Sequence, residues 1–174
     1  MRISRNAWLV AGMLLLAGCE KSNAPATPPL AIQPNSLPTR AQAKLPTVKL
    51  WVGAQEIVAE VASTAQQREI GMMFRTNILE NEGMLFLFPY SIQMSFWMTN
   101  VPIPLSCAYM DHQGAILEIH DMKANDPTPI VSKSSDLQFV LETKQGWFGR
   151  NNVATGMVVR TDSGSLAERF LGRP

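Results

Sequence analysis

From Met84 to Phe88 every residue is apolar, a run too short for a helix and unbroken by the alternation of a half-exposed strand. That pattern predicts a strand covered on both faces, closed by Pro89. Leu137 to Leu141, apolar except for Gln138, is apolar enough to be expected as a central strand. Val48 to Val52 and Glu56 to Val61 flank Gly53-Ala54-Gln55 and read as a hairpin. Leu105 to Met110 and Ala115 to Met122, joined by Asp111-His112-Gln113-Gly114, read as another. Gln93 to Thr99 is expected to be a strand, and Met157 to Arg160 a short last one. One helix is predicted after Thr64, whose spacing to Gln67 is that of a capping box, with Ile70 and Met73 on its apolar face and an end near Gly71 to Phe74. Pro102 and Pro104 remove ladder donors on both sides of Ile103, so Asn100 to Pro104 is a loop or corner. Lys123 to Ser135, with Pro127 and Pro129, is a long loop of the kind that often carries function. These elements define an α+β domain dominated by a small, largely antiparallel, barrel-like sheet with one main helix.

The apolar pattern differs before this domain. Trp8 to Cys19 is a mainly apolar run of twelve residues behind Arg2 and Arg5, short of the ~20 needed to span a bilayer, and it ends in Leu16-Ala17-Gly18-Cys19. Residues 1–18 are therefore expected to be a lipoprotein signal peptide, with lipid such as palmitate on Cys19 after cleavage. Residues 19–46, rich in Pro and Ala, lack either period and are expected to form a tether. The globular domain is then 47–162 and the flexible tail 163–174, with at most one helical turn near Leu166 to Phe170. The expected address is the bacterial cell envelope, on the periplasmic side of a membrane; with Glu20 and no Asp after Cys19, resemblance to Gram-negative lipoproteins implies the outer membrane.

Composition adds exclusions. The formal net charge is +1 and the basic residues form no stripe, which argues against nucleic acid. Cys19 and Cys107 are the only cysteines, so lipidation of Cys19 leaves Cys107 an unpaired thiol, expected to be a buried small hydrophobe within its strand.

Gly71-Met72-Met73-Phe74-Arg75, Gly83-Met84-Leu85-Phe86-Leu87-Phe88-Pro89, Phe96-Trp97-Met98-Thr99-Asn100, Pro104-Leu105 and Val140-Leu141-Glu142 occur in that order. The series resembles the domain of unknown function 192 family across about Val48 to Val159. The resemblance implies a compact β-rich barrel-like domain with a helix against it, commonly exported or lipid-anchored, and no established reaction. The family usually has Asp after the Pro-Leu pair, where this chain has Ser106.

Arg75, Asn100 and Glu142 are the polar motif positions. Two of them are charges beside apolar runs, expected to pair with each other or with backbone groups. With Trp97 they are the candidate binding pocket; the commoner arrangement of such groups is a structural network pinning the Pro-rich corner. The leading reading is an envelope module that binds a ligand or partner, needing no cofactor. The alternative is an envelope enzyme using Cys107, with His112 or His120 as base, or the Arg75, Asn100 and Glu142 group. A lesser alternative is Cu(I) held by Met72, Met73, Met94, Met98, His120 and Met122. No metal site is expected, since methionines fill irregular cores. Asp111, Asp121 and Asp126 are expected in solvated turns or loops.

Overall fold

A computed structural model describes residues 38–172; the segment expected to be a signal peptide, Cys19 and most of the expected tether lie outside them. The strands are β1 (Thr47–Val52), β2 (Gln55–Ala62), β3 (Glu82–Ile92), β4 (Ser95–Phe96), β5 (Leu105–Met110), β6 (Ile116–Met122), β7 (Ile130–Val131), β8 (Leu137–Lys144), β9 (Val159–Thr161) and β10 (Gly164–Ser165). The helices are α1 (Ala65–Ile70), α2 (Trp147–Arg150) and α3 (Leu166–Leu171). Eight strands form one sheet in the order β10-β9-β1-β2-β3-β8-β5-β6, and β4 pairs with β7 separately.

The sheet is mixed. β2 and β3 run parallel, joined by the crossover that contains α1, and every other neighbouring pair is antiparallel. It is not a closed barrel. An isolated bridge between Ala115 and Val158 ties the two ends of the sheet at one corner, with Val159 donating to the Gly114 carbonyl at 2.9 Å, but no ladder follows.

β3 and β8 sit in the middle because each has apolar residues for both faces. Leu85, Leu141, Phe139 and Ala108 join Leu50, Val52 and Ile57 in one core cluster. Met84, Phe86, Val140, Cys107 and Tyr109 form the other with Met94, Met98 and Leu137. Burying such a side chain contributes about 1.5–3 kcal/mol, and the alternation along each strand divides that between two layers. β3 does not stop at Pro89. Its register with β8 shifts between Leu87 and Ile92, so the proline, which has no N–H, falls in the irregularity. There Gln138 donates its side-chain amide to the Phe88 carbonyl at 3.1 Å.

α1 begins where the capping box places it: Thr64 accepts from the Gln67 N–H and the Gln67 side chain accepts from the Thr64 N–H. Gly71 ends it at a φ of 49°. Three expectations change. The predicted strand over Gln93 to Thr99 shrinks to Ser95–Phe96. The loop Lys123 to Ser135 contains β7 and is pinned to the 97–101 segment by Met98 N–H to Asp126 O and Asn125 N–H to Val101 O, each 2.9 Å. The segment expected to fray from Ser163 forms β10 and α3, capped by Ser165 with Glu168, because Leu166 is a core residue.

The ordered domain also starts before Thr47. Gln42 donates to the carbonyls of Gln67 and Gly71, and the Leu45 N–H to Glu60, docking the segment before β1 against α1 and β2. Among the described residues no helix is long and apolar enough to cross a membrane.

Candidate functional site

Glu142 lies on β8 between Met84 of β3 and Cys107 of β5, its registered neighbours, and shares their face of the sheet. The residue is buried, and its Oε2 has no hydrogen-bond partner among the described residues. Removal from water pushes its carboxyl up to about 8, so the acid is largely protonated at neutral pH. A cavity of about 360 Å³ opens over it. Its walls come from α1 and its exit turn (Arg68, Met72, Met73), from β3 (Phe86, Phe88), and from the β4 region (Phe96, Trp97).

Each wall has a local cause. Phe86 and Phe88 are two residues apart on β3 and face the same way. Phe96 stands among them, its ring centroid 5.0 Å from Phe86 edge-on, 6.5 Å from Phe88 and 5.9 Å from Tyr109. Gly71 turns the chain so that Met72 and Met73 enter the core; a Cβ there would come within 3.3 Å of the Phe86 ring. The Arg68 guanidinium sits 4.9 Å over Phe88 and donates to the Leu87 and Ser63 carbonyls at 2.9 and 2.6 Å. Trp97, 46 % exposed, forms the rim, and it also borders a hollow of about 130 Å³ beside Lys123 and Asp126.

The four candidate residues therefore separate. Trp97 and Glu142 meet at one cavity. Arg75 does not pair with Glu142: its Nη2 donates to Glu60 Oε2 at 2.9 Å, and it lines a different cavity of about 290 Å³. Asn100 lines none of these cavities; its carbonyl accepts the Phe74 N–H at 2.7 Å. The sequence pattern did not single out Arg68, Phe86, Phe88 and Phe96, although Phe96 lies in the motif word of Trp97 and Phe86 and Phe88 in the Gly83 to Pro89 word. The period-two spacing of Phe86 and Phe88 was the available signal.

Cys107 is buried and free; desolvation, and then the nearby Glu142, push its thiol up, away from the reactive thiolate. His120 is turned to Glu118, 3.0 Å away, and packs at a tilt against Tyr109, ring centroids 5.4 Å apart. Met72, Met73, Met84, Met94, Met98 and Met122 are all buried in the core cluster that contains Cys107. Among the described residues no group of three or more His, Cys, Asp or Glu could hold a metal ion. Asp121 lies on β6 rather than in a loop, and Ser106 donates to its Oδ1. Ser106 Oγ in turn accepts the Gly146 N–H at 2.8 Å. The place where the family usually carries Asp thus holds a hydroxyl that borrows a carboxylate from the neighbouring strand.

One large mixed sheet with three short helices defines a mainly β domain, with one acid of its central strand buried beneath an aromatic cavity. The chain belongs to the DUF192 family, described as "Uncharacterized ACR", whose profile matches residues 48–161. It is similar to a protein of unknown function from Novosphingobium aromaticivorans DSM 12444, solved at 1.22 Å. The two are 30 % identical with a TM-score of 0.62, over 67 % of this chain and 86 % of that one. The fold also matches a Sinorhizobium meliloti 1021 protein solved at 1.55 Å and provisionally described as a transcription regulator. That match has 24 % identity and a TM-score of 0.66, over 70 % of this chain and 98 % of that one. None of the curated proteins matches this chain.

Proposed function

We propose that this chain is a cell-envelope lipoprotein, anchored through lipid on Cys19 and facing the periplasm from the outer membrane, whose DUF192 domain binds a small ligand with an apolar body. The observation that carries the binding reading is the unpartnered Oε2 of Glu142 beneath an aromatic cavity. A buried polar atom without a partner costs about 1–3 kcal/mol, a cost that a ligand group in the cavity would offset. A few convergent polar groups in a mainly apolar cleft is the ordinary construction of a ligand site. The anchor reading rests on the apolar run ending in Leu16-Ala17-Gly18-Cys19. The net charge of +1 gives no support to nucleic acid as the partner.

Fragment binding followed by NMR tests the site. Hits are expected to shift the Trp97 indole and the methyl groups of Met72 and Met73; a library giving no hits, or hits only elsewhere, contradicts the reading. For the anchor, cells grown with labelled palmitate are expected to label the native chain and not the Cys19→Ser variant. Equal labelling, or none in either, removes the lipoprotein reading.

A further inference from the structure

The chemistry of the cavity narrows the ligand class. Its walls are electron-rich: three phenylalanine rings and the Trp97 indole, whose faces carry partial negative charge, with the thioethers of Met72 and Met73. Beneath them is a carboxyl group that forms no ion pair among the described residues. Arg75 is held by Glu60 at another cavity. Arg68, at the rim, is committed to two backbone carbonyls and the Phe88 ring. Buried carboxylates normally have a paired cation, and here that place opens into a cavity.

We propose that the cavity takes an organic ammonium with an apolar body and at least one N–H, which donates to Glu142 Oε2 while the aromatic walls hold the charge by cation–π contact. This rests on the ligand-binding reading and specifies its substrate class. The N–H is required because Oε2 lacks a hydrogen-bond partner, not merely a countercharge.

Binding is linked to pH. The groups around Glu142 are Cys107 and Tyr109 from β5, whose pKa values burial pushes up so that both stay neutral, and Arg68 and Glu69 from α1. β3 contributes only Met84 and Phe86, and His120 of β6 lies on the Cys107 side, bonded to Glu118. Glu142 is thus the group that loses a proton when the ammonium enters, and that proton goes to solvent.

The test compares benzylamine with benzyl alcohol, which share a body and differ in charge, by calorimetry on the full chain. Benzylamine is expected to tighten up to about tenfold per pH unit between roughly pH 6 and 8, releasing up to one proton, and to level off above that. Glu142→Gln should lose the pH slope and weaken benzylamine more than about tenfold at pH 8.5, a much larger loss than for benzyl alcohol. Trp97→Leu, at an exposed position that does not threaten folding, should weaken benzylamine severalfold. Benzyl alcohol binding as tightly as the amine, or an amine affinity indifferent to pH and to Glu142→Gln, overturns the ammonium proposal while leaving the cavity a binding site. Failure of both compounds and of every NMR fragment overturns both.

Discussion

Phe74 and Asn100 both hold left-handed backbone, at φ 60° and 61°, and the Phe74 N–H donates to the Asn100 carbonyl at 2.7 Å. The contact ties the exit of α1 to the segment after Trp97, fixing two walls of the Glu142 cavity against each other. Asparagine tolerates this conformation better than most side chains. Asn100→Gly is therefore expected to be neutral within about 0.5 kcal/mol, and Asn100→Val to cost about 1–3 kcal/mol. Urea midpoints at constant m-value check both. Equal effects would remove the backbone explanation.

Arg75 and Glu60, with side chains 14 % and 12 % exposed, form a nearly dry ion pair that also receives the Leu45 N–H at 2.7 Å. Removing one partner leaves a charge without compensation, so Glu60→Ala is expected to cost about 3–5 kcal/mol by chemical denaturation. Arg75→Met with Glu60→Leu should recover much of that, because an apolar pair removes both desolvation costs. Recovery absent in the double variant would contradict this account of the pair.

Ser106 Oγ stands between the Gly146 N–H and Asp121. Ser106→Ala should cost about 1–3 kcal/mol by leaving that N–H unpaired. Ser106→Asp places a second carboxylate opposite Asp121, its registered neighbour, and should be rescued by Asp121→Ser. A thermal-shift comparison of the two single variants and the double decides it; additivity would mean that the two positions do not communicate.

Those residues also mark what the chain discloses without its structure. The Thr64 and Gln67 capping box, both hairpins and the apolar runs of β3 and β8 were legible because each rests on spacing within a few residues. α2 was missed, since Trp147–Arg150 is one turn packed by Trp147 and Phe148 and has no helical period to read. The tail was misjudged because Leu166 finds its burial among residues distant in sequence. For the site, motif position located Trp97 and Glu142 but could not separate them from Arg75. The partner of Arg75 is Glu60 on β2, which lies outside every motif word and is brought near only by the parallel β2–β3 crossover.

Glu142 also gives the domain a signed pH dependence. Its pKa is raised in the folded state, to about 8 from about 4.5, so the folded chain binds the extra proton between those values. Stability from this group is full below about pH 4.5, falls by up to about 1.4 kcal/mol per pH unit as pH rises, and levels above about 8. Urea unfolding between about pH 5 and 8 should show that decline, and Glu142→Gln should flatten it. Glu118 acts in the opposite sense at lower pH. Burial would raise its carboxyl, but the Ser134 N–H, His120 and the Lys133 N–H outweigh it and hold it low, so its contribution is lost as pH falls below the ordinary carboxylate range. A decline that persists in Glu142→Gln would assign it to another group.

The most direct measurement is a carbon-detected NMR titration of the Glu142 carboxyl in the full chain, free and with benzylamine. The account predicts a midpoint pushed up to about 8 in the free protein, falling toward the ordinary carboxylate range when the amine is bound. A free midpoint already near 4.5, or one that benzylamine does not move, would contradict the claim that the cavity is built around an acid waiting for its cation.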